Sequence, residues 1–353
     1  MQVDYLIIGQ GISGTWLSYY LQKEGKSFII IDDNASNSPS KIAAGIVNPV
    51  TGRRHASVWL AEELMPFVLD VYKKLGEELS INVISERAVI DFFPSAQMRL
   101  SFAERVKDGI HYVSLPADEK KFLKDFNYDL GFGQIDPVYT VHLENILQVW
   151  RKKLIGSGNL IERSFELKDL QVNKNEIRYD DIIAQKIIFC DGSSSANSPW
   201  FTLLPFAPNK GEALTLHIEG LNPDHIYKRG LMLAPLAATD QWWIGSSYEW
   251  EFENNLPTEI FRERTESLLK EWLRLPFEIT GHFASLRPAT LERRPFVGLH
   301  PQFPQIGILN GMGTKGCSLA PFFAKQLTEY LVHGTPVYPD ADVQRFKKIL
   351  ARK

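Results

Sequence analysis

Residues 3–14 of the chain read VDYLIIGQGISG, and this stretch decides the fold. Its mostly apolar first half is typical of a parallel strand that is covered on both faces. After the glycine-rich turn, residues 15–21 (TWLSYYL) continue with helical periodicity, and Gly25 offers an end to the helix. Residues 27–31 (SFIII) predict a second strand, with Asp32 at its end. This order of strand, glycine turn, helix, strand and acid predicts the βαβ unit of a dinucleotide-binding domain.

Each residue type in this unit has a physical reason to be there. Gly9 allows a tight turn, Gly11 lets the backbone approach a pyrophosphate, and Gly14 lets the helix pack closely against the strand. The helix N-terminus adds unpaired N–H groups and the positive end of its dipole. Asp32 would accept hydrogen bonds from ribose hydroxyls, and the adjacent Asp33 is an alternative. The pattern predicts dinucleotide binding and does not distinguish NAD from FAD.

A second glycine-rich turn near the end of the chain favours FAD. Residues 306–310 (IGILN) predict a strand, residues 311–316 (GMGTKG) a turn, and residues 318–331 a helix. One such turn is enough for a simple NAD dehydrogenase, so the second helix N-terminus has a different target. Reduced flavin is negatively charged, and a helix dipole with backbone N–H groups would stabilise it. An ordinary crossover turn is the structural alternative.

The length and the segment pattern predict two domains. The fold class is α/β, with a Rossmann-like FAD-binding domain assembled from both chain ends and an α+β second domain built on an antiparallel sheet. We assign residues 1–80, 141–205 and 286–353 to the FAD-binding domain. Residues 81–140 and 206–285, which contain short strand-like runs, form the predicted substrate domain. A chain of 353 residues is long enough for both.

Composition excludes several other classes of protein. The chain has 39 basic and 42 acidic residues, and a net charge of -3 gives no electrostatic reason to bind nucleic acid. Cys190 and Cys317 form no CxxC pair, which argues against structural zinc and for a reducing compartment. Histidine spacing indicates no metal site either. The N-terminus lacks a signal-peptide pattern and no apolar run is long enough to cross a membrane, so we expect a cytoplasmic protein.

Four further segments with recognisable motifs follow one another along the chain. They are residues 41–49 (KIAAGIVNP), 188–192 (IFCDG), 285–298 (SLRPATLERRPFVG) and 311–321 (GMGTKGCSLAP). Together with the first glycine turn, they resemble the FAD-dependent D-amino-acid oxidase family, which includes glycine, sarcosine and D-amino-acid oxidases and dehydrogenases. The matching segments are scattered over nearly the whole chain. They are specific for the cofactor and the fold rather than for the substrate.

The resemblance implies an enzyme with FAD between its two domains, where the antiparallel sheet of the substrate domain covers the flavin. Such an enzyme oxidises the C–N bond of a small amine or amino acid by hydride transfer to the flavin. The electrons then pass to oxygen, or to a quinone or carrier protein, and the sequence leaves this choice between oxidase and dehydrogenase open. Cys317 is expected to be a packing residue, so FAD is expected to be noncovalent.

The resemblance also implies a set of site residues. Arg287 and Lys315 are the candidate catalytic residues, because the substrate carboxylate needs a cation to hold it near the flavin. Arginine supplies two parallel hydrogen bonds, whereas lysine supplies a point charge. The expected cofactor contacts are Gly9, Gly11, Ile12, Ser13, Gly14, Asp32, Asp33, Ala43, Ala44, Gly45, Ile46, Leu167, Asp191, Gly192, Arg287, Gly311, Gly313, Thr314, Lys315 and Gly316.

Some positions depart from the family pattern. Asp32 stands where many members have glutamate, Met312 where histidine is common, and Asp191 where a small residue is usual. Outside the motifs, residues 53–55 (RRH) could line the substrate entrance, but they more simply form a solvated basic turn.

Alternative functions stay open on the sequence. One is an enzyme of the same fold that acts on an aminomethyl group of a modified tRNA base, which the acidic charge balance disfavours. Others are an NAD-dependent dehydrogenase and a flavin-binding partner protein without turnover.

Overall fold

The computed structural model describes residues 1–352. The strands are β1 (Gln2–Ile8), β2 (Phe28–Asp32), β3 (Ile46–Val47), β4 (Val50–Thr51), β5 (Ala56–Ser57), β6 (Ile84–Phe92), β7 (Val113–Ser114), β8 (Phe132–Val141), β9 (Leu160–Glu162), β10 (Leu170–Val172), β11 (Ile177–Tyr179), β12 (Ile182–Phe189), β13 (Asn209–His217), β14 (His225–Arg229), β15 (Leu231–Pro235), β16 (Gln241–Gly245), β17 (Glu278–Arg287), β18 (Phe296–Leu299) and β19 (Ile306–Asn310). The helices are α1 (Ile12–Lys23), α2 (Pro39–Ile42), α3 (Ala61–Leu79), α4 (Ala96–Lys107), α5 (Leu143–Gly156), α6 (Glu259–Trp272), α7 (Gly316–His333) and α8 (Lys347–Leu350).

The first compact unit comprises Met1–Lys41, Leu143–Asn209 and the chain from Leu286 onward. Its sheet has parallel strands in the order β9, β2, β1, β12 and β19. The first half of β12 pairs with β11 and its second half with β19, so two strands share one edge of β12. Strands from the two ends of the chain therefore belong to one sheet, and the predicted α/β fold class is confirmed.

Apolar side chains on both faces of this sheet explain its continuous hydrophobic strands. Leu6 and Ile7, neighbours in β1, point to opposite faces and are both fully buried. One face packs against the C-terminal residues Val343 and Phe346. On the other side of the unit, α1 packs against α7. The helices that follow the two glycine turns therefore lie side by side.

The second compact unit comprises Ile42–His142 and Lys210–Ser285. Its mixed sheet has the order β17, β13, β16, β15, β14, β6, β8 and β3, with β14 and β6 parallel. The core on one face is aromatic and contains Phe92, Phe126, Trp242 and Trp272. Trp272 belongs to α6, so this helix is fixed to the sheet by its buried aromatic side.

The structure differs from the predicted division of the chain over residues 42–80. These residues belong to the second unit rather than to the unit of the chain ends. The reason is hydrogen bonding and packing: β3 pairs with β8, and α3 packs against β6. Sequence patterns could not give the pairing of β3 with β8, because these two strands lie far apart along the chain. The other boundaries between the units fall at 142/143, 209/210 and 285/286.

Within residues 1–352, no helix combines the length and the apolar character needed to cross a membrane.

Candidate cofactor site

The first glycine turn is a close approach of backbone to backbone. Gly9 has a φ of +95°, and a Cβ there would lie 2.6 Å from the carbonyl oxygen of Cys190. A Cβ on Gly14 would lie 1.9 Å from the carbonyl oxygen of Gly9. Neither position has room for a side chain, so the strand, the turn and α1 need glycine at both places.

The start of α1 is open to an anion. Gly11 precedes the helix and supplies no side-chain cap, and the first turn contains no acidic residue. The N–H of Ile12 donates to Oγ of Ser40 at 3.0 Å. The adjacent Ser13 also lies within the first turn of α1. An uncapped helix N-terminus carries partial positive charge and suits a phosphate group.

Asp32 lies at the end of β2 and already accepts three hydrogen bonds. Its Oδ2 accepts from the N–H of Gln10 at 2.7 Å. Its Oδ1 accepts from the N–H of Asn34 at 2.9 Å and from Nη1 of Arg151 at 2.6 Å. These bonds join the first glycine turn, the end of β2 and helix α5. Arg151 has no motif in the sequence, and sequence reasoning missed it.

Asp33 turns away from this network. Its Oδ1 accepts from the N–H of Ala35 at 3.2 Å, and its Oδ2 accepts from Oγ of Ser164 at 3.2 Å. Ser164 is thus a side-chain partner of Asp33. Leu167, a predicted cofactor contact, begins a 3-10 turn and is 46% exposed. The geometry favours Asp32 over Asp33 as the ribose acceptor.

The second glycine turn lies beside the first. Gly311 and Gly313 have φ values of +81° and +55°, in the left-handed region that glycine adopts without strain. Helix α7 begins at Gly316 with no side-chain cap and no acidic residue in its first turn. A Cβ on Gly316 would lie 3.2 Å from Cγ2 of Ile12 in α1. The starts of α1 and α7 are therefore neighbours.

Asn310 connects the ends of β12 and β19. Its Nδ2 donates to the carbonyl oxygen of Gly192 at 2.7 Å and to Oγ of Ser195 at 2.9 Å. Its Oδ1 accepts from the N–H of Gly311 at 2.8 Å. Asp191, which also contacts Asn310, has a pKa raised to about 6 because it is buried. Asn310 stands just before the glycine turn, but no motif marks it.

Two cations belong to the unit that holds the second turn. Arg287 is 8% exposed, and its Nη1 donates to Oδ1 of Asn209 at 2.7 Å. Lys315 immediately precedes α7. Burial lowers the pKa of Lys315 to about 8, and the positive charge of Arg293 contributes in the same direction. Thr314, beside Lys315, is exposed.

The remaining predicted contacts lie in the second unit. The segment from Ala43 to Ile46 belongs there, and Ile46 pairs with Thr140 of β8. Gly45 has a φ of +73°, and a Cβ there would lie 1.9 Å from the carbonyl oxygen of Val141. Close packing against β8 thus explains the glycine at position 45, whatever else the loop contacts.

The prediction of a solvated turn at residues 53–55 is wrong for its last residue. Arg53 and Arg54 are exposed, but His55 is fully buried. Nε2 of His55 lies 3.1 Å from Oδ2 of Asp91, which also accepts from Nζ of Lys228 at 2.6 Å. A buried carboxylate binds both side chains, and sequence alone gives no sign of this partner.

The cysteines are packing residues in the structure. Cys190 and Cys317 are both buried, and burial raises the pKa of each thiol, for Cys317 to about 12. A thiol that stays protonated is a poor nucleophile. Among residues 1–352, no cluster of three or more potential His, Cys, Asp or Glu ligands surrounds a metal site.

The first unit fits a dinucleotide. It has two uncapped helix starts side by side, glycines that bring the backbone close, and a carboxylate at the end of β2. An acid at this strand end and an open helix start are what the ribose and pyrophosphate of a dinucleotide require. Fold and site together define a dinucleotide-dependent α/β protein.

The chain belongs to the family of FAD dependent oxidoreductases known as DAO, whose sequence model matches residues 4–330. It is therefore an FAD-dependent oxidoreductase, as the sequence predicted, and the NAD-dependent alternative gains no support. The alternative of a modified tRNA base as substrate gains no support from the proteins that the chain resembles.

One relative and two solved structures are distant in sequence but similar over more than 90% of each chain. Glycine oxidase of Bacillus subtilis (strain 168) is 23% identical, over 94% of this chain and 93% of that protein. The structure of iminodiacetate oxidase from Chelativorans sp. BNC1 is 22% identical, with a TM-score of 0.77 over 96% of this chain and 99% of that one. Glycine oxidase from Bacillus cereus ATCC 14579 is 17% identical, with a TM-score of 0.79 over the same shares. At such identities, the two solved structures establish the fold alone.

Proposed function

We propose that this enzyme oxidises the C–N bond of a small amine or amino acid by hydride transfer to noncovalently bound FAD. The observation that carries the proposal is the contact between the two glycine turns, where a Cβ on Gly316 would lie 3.2 Å from Ile12. Two neighbouring helix starts suit adjacent parts of one cofactor, the pyrophosphate and the flavin ring. The distant relatives named glycine oxidase and iminodiacetate oxidase support a small amino-acid substrate.

The residues of the first turn hold the nucleotide half in this proposal. The backbone at Gly11 and Ser13, at the start of α1, binds the pyrophosphate. Asp32 accepts a ribose hydroxyl. These groups supply affinity and orientation rather than chemistry.

The residues of the second turn serve the flavin half. FAD, when bound, supplies a two-electron acceptor for the hydride. The start of α7 and the ammonium group of Lys315 place positive charge where the reduced ring gains negative charge. Because the pKa of Lys315 is lowered only to about 8, this side chain is mostly protonated at pH 7.

Arg287 is the proposed anchor for the substrate carboxylate. Its guanidinium is buried, so an ion pair there is weakly screened by solvent. The hydrogen bond from Nη1 to Asn209 fixes one side of the guanidinium, and a guanidinium can hold a carboxylate through two parallel hydrogen bonds. Held in this way, the substrate needs no strong protein base if its amine arrives neutral.

We also propose an electron acceptor and a location for the enzyme. The electrons pass to oxygen, or to a quinone or carrier protein. Access to the flavin ring decides between these acceptors, and no sequence motif does. A cytoplasmic location follows from the cysteine usage of the sequence, since both thiols are buried and neither forms a disulfide.

Anaerobic flavin reduction tests the proposal. The purified protein, loaded with FAD, is mixed without oxygen with glycine, D- and L-amino acids, N-methyl amino acids, iminodiacetate and simple amines. We expect at least one compound to bleach the visible flavin absorbance, and a compound with a carboxylate to act faster than its decarboxylated counterpart. Readmission of air then separates an oxidase from a dehydrogenase by the rate of reoxidation. A flavin that no compound in the panel bleaches would contradict the proposal.

A further inference from the structure

Arg151 makes an unusually complete set of hydrogen bonds for a residue outside every motif. It lies in α5, is 7% exposed, and bonds to three other segments of the first unit. Its Nη1 donates to Oδ1 of Asp32 at 2.6 Å and to Oε1 of Gln10 at 3.0 Å. Its Nε and Nη2 donate to Oε2 of Glu162 at 3.1 and 2.8 Å. Nη2 also reaches the carbonyl oxygen of Asp32 at 3.2 Å.

We propose that Arg151 is a positioning residue for FAD, which acts by fixing the carboxylate of Asp32 for the ribose of the adenosine half. The inference rests on the proposed function, because it assumes that Asp32 is the ribose acceptor. It adds a residue that no sequence motif contains and assigns it to one half of the cofactor.

The hydrogen bonds determine which acceptor Asp32 can offer. A carboxylate has about four acceptor positions, two on each oxygen. Arg151 and Asn34 occupy those of Oδ1, and the N–H of Gln10 occupies one of Oδ2. One position on Oδ2 is left for a ribose hydroxyl. Arg151 therefore turns a flexible acid into an acceptor with one fixed direction.

Arg151 also controls the charge at this end of the sheet. The guanidinium lies between the carboxylates of Asp32 and Glu162, which stand on the adjacent strands β2 and β9. Without it, the half-buried carboxylate of Asp32 and the exposed carboxylate of Glu162 would face each other with no positive charge between them. A lysine has no planar fork with which to reach both acids and Gln10 at once.

A purely structural role explains the network less well. Helix α5 is already attached to its unit by buried Ile146, Leu147 and Trp150, and Nε1 of Trp150 donates to Oγ of Ser18 at 2.9 Å. The charged network lies instead at the carboxyl ends of β2 and β9. In doubly wound folds, this edge of the sheet is where nucleotides bind.

The test compares Arg151→Lys with the control Arg178→Lys in the same unit, where Nε of the exposed Arg178 donates to Glu176 at 2.7 Å. Apoprotein of each variant is titrated with FAD, with ADP, which carries only the adenosine half, and with FMN, which lacks the adenosine. We expect Arg151→Lys to bind FAD and ADP about 10- to 100-fold more weakly, as loss of a charged hydrogen bond implies. FMN binding should be unchanged, and the control should match the wild type.

A double-mutant cycle identifies the partner. Asp32→Asn should weaken FAD binding by a similar factor, and the double variant should be little worse than either single variant, because both act through one carboxylate. The proposal is overturned if Arg151→Lys binds FAD within about twofold of the wild type, or if it loses FMN binding as well, which would make Arg151 a folding residue. Failure of the wild type to bind FAD would instead overturn the proposed function.

Discussion

The two glycine-rich turns of the first unit share a backbone plan and differ in charge. Each follows a buried parallel strand and leads into a helix without a side-chain cap. Beside the first turn stands an acid, Asp32, which Arg151 holds. Before the second helix stands a cation, Lys315, with Arg293 close enough to lower its pKa.

This difference in charge indicates which half of a dinucleotide each turn binds. An acid whose charge is balanced by an arginine suits the neutral hydroxyls of a ribose. An excess of positive charge suits a flavin that becomes negative on reduction, or a substrate carboxylate. The backbone makes both turns into binding sites, and the neighbouring side chains decide what each one binds.

The largest effect is expected when a side chain is placed in the close backbone contact of the first turn. Gly14→Ala places a Cβ 1.9 Å from the carbonyl oxygen of Gly9, so the backbone must move. We expect a loss of stability of about 3 kcal/mol or more and no bound FAD after purification. In the control Gly156→Ala, nothing lies within 4 Å of the new Cβ in helix α5. That variant should keep FAD, and a Gly14→Ala protein with full FAD content would contradict the account.

Removal of the buried Arg287 tests whether positive charge near the second turn holds the substrate carboxylate. Arg287→Ala should lower kcat/KM for the best carboxylate substrate about 30- to 1,000-fold, because a buried charge pair is lost. FAD content and reduction by dithionite serve as controls and should stay unchanged. Anaerobic stopped-flow bleaching gives the rate, and a rate equal to that of the wild type would remove Arg287 from the substrate site.

The stability of the protein should depend on pH through Asp191, which contacts Asn310 at the second glycine turn. Asp191 lies at the end of β12, and its pKa rises from 3.8 to about 6 because burial disfavours the charged form. The folded state therefore binds the extra proton, and stability falls as pH rises from about 4 to about 6, by about 3 kcal/mol at most. Asp191→Asn should abolish this fall. Urea unfolding at pH 4.5 and 7.5 measures it, and equal pH differences in both proteins would disprove this explanation.

The smallest expected effect is the pH dependence of anion binding that Lys315 causes. Its ammonium loses a proton around pH 8, so positive charge at the second turn declines above that pH. Binding of acetate, followed by the flavin spectrum, should weaken up to about tenfold per pH unit above pH 8. In Lys315→Met, binding should be weaker at pH 7 and independent of pH in this range. Identical pH profiles for the two proteins would show that Lys315 does not contribute.

Local patterns allowed part of this fold to be predicted. The unit from β1 to β2 follows from an apolar run, three glycines and helical periodicity, all within about thirty residues. The second turn follows in the same way from residues 306–316. Both could be found because short-range backbone geometry demands particular residue types at fixed spacing.

The pairs that the side chains of the site form with each other could not be predicted. Arg151 meets Asp32 across 119 positions of sequence, and Arg287 meets Asn209 across 78. Such pairs form only when separate strands and helices come together. The sequence around each arginine does not indicate which residue it will bond to. The same reason explains why His55 was expected in solvent and is buried against Asp91.

The central claim is that both turns bind one FAD, and a crystal structure of the FAD-loaded protein tests it most directly. We predict the pyrophosphate at the start of α1 near Gly11, a ribose hydroxyl on Oδ2 of Asp32, and the isoalloxazine ring at the start of α7 beside Lys315. A ring bound away from residues 311–316, or an adenosine that leaves Asp32 without contact, would contradict the claim.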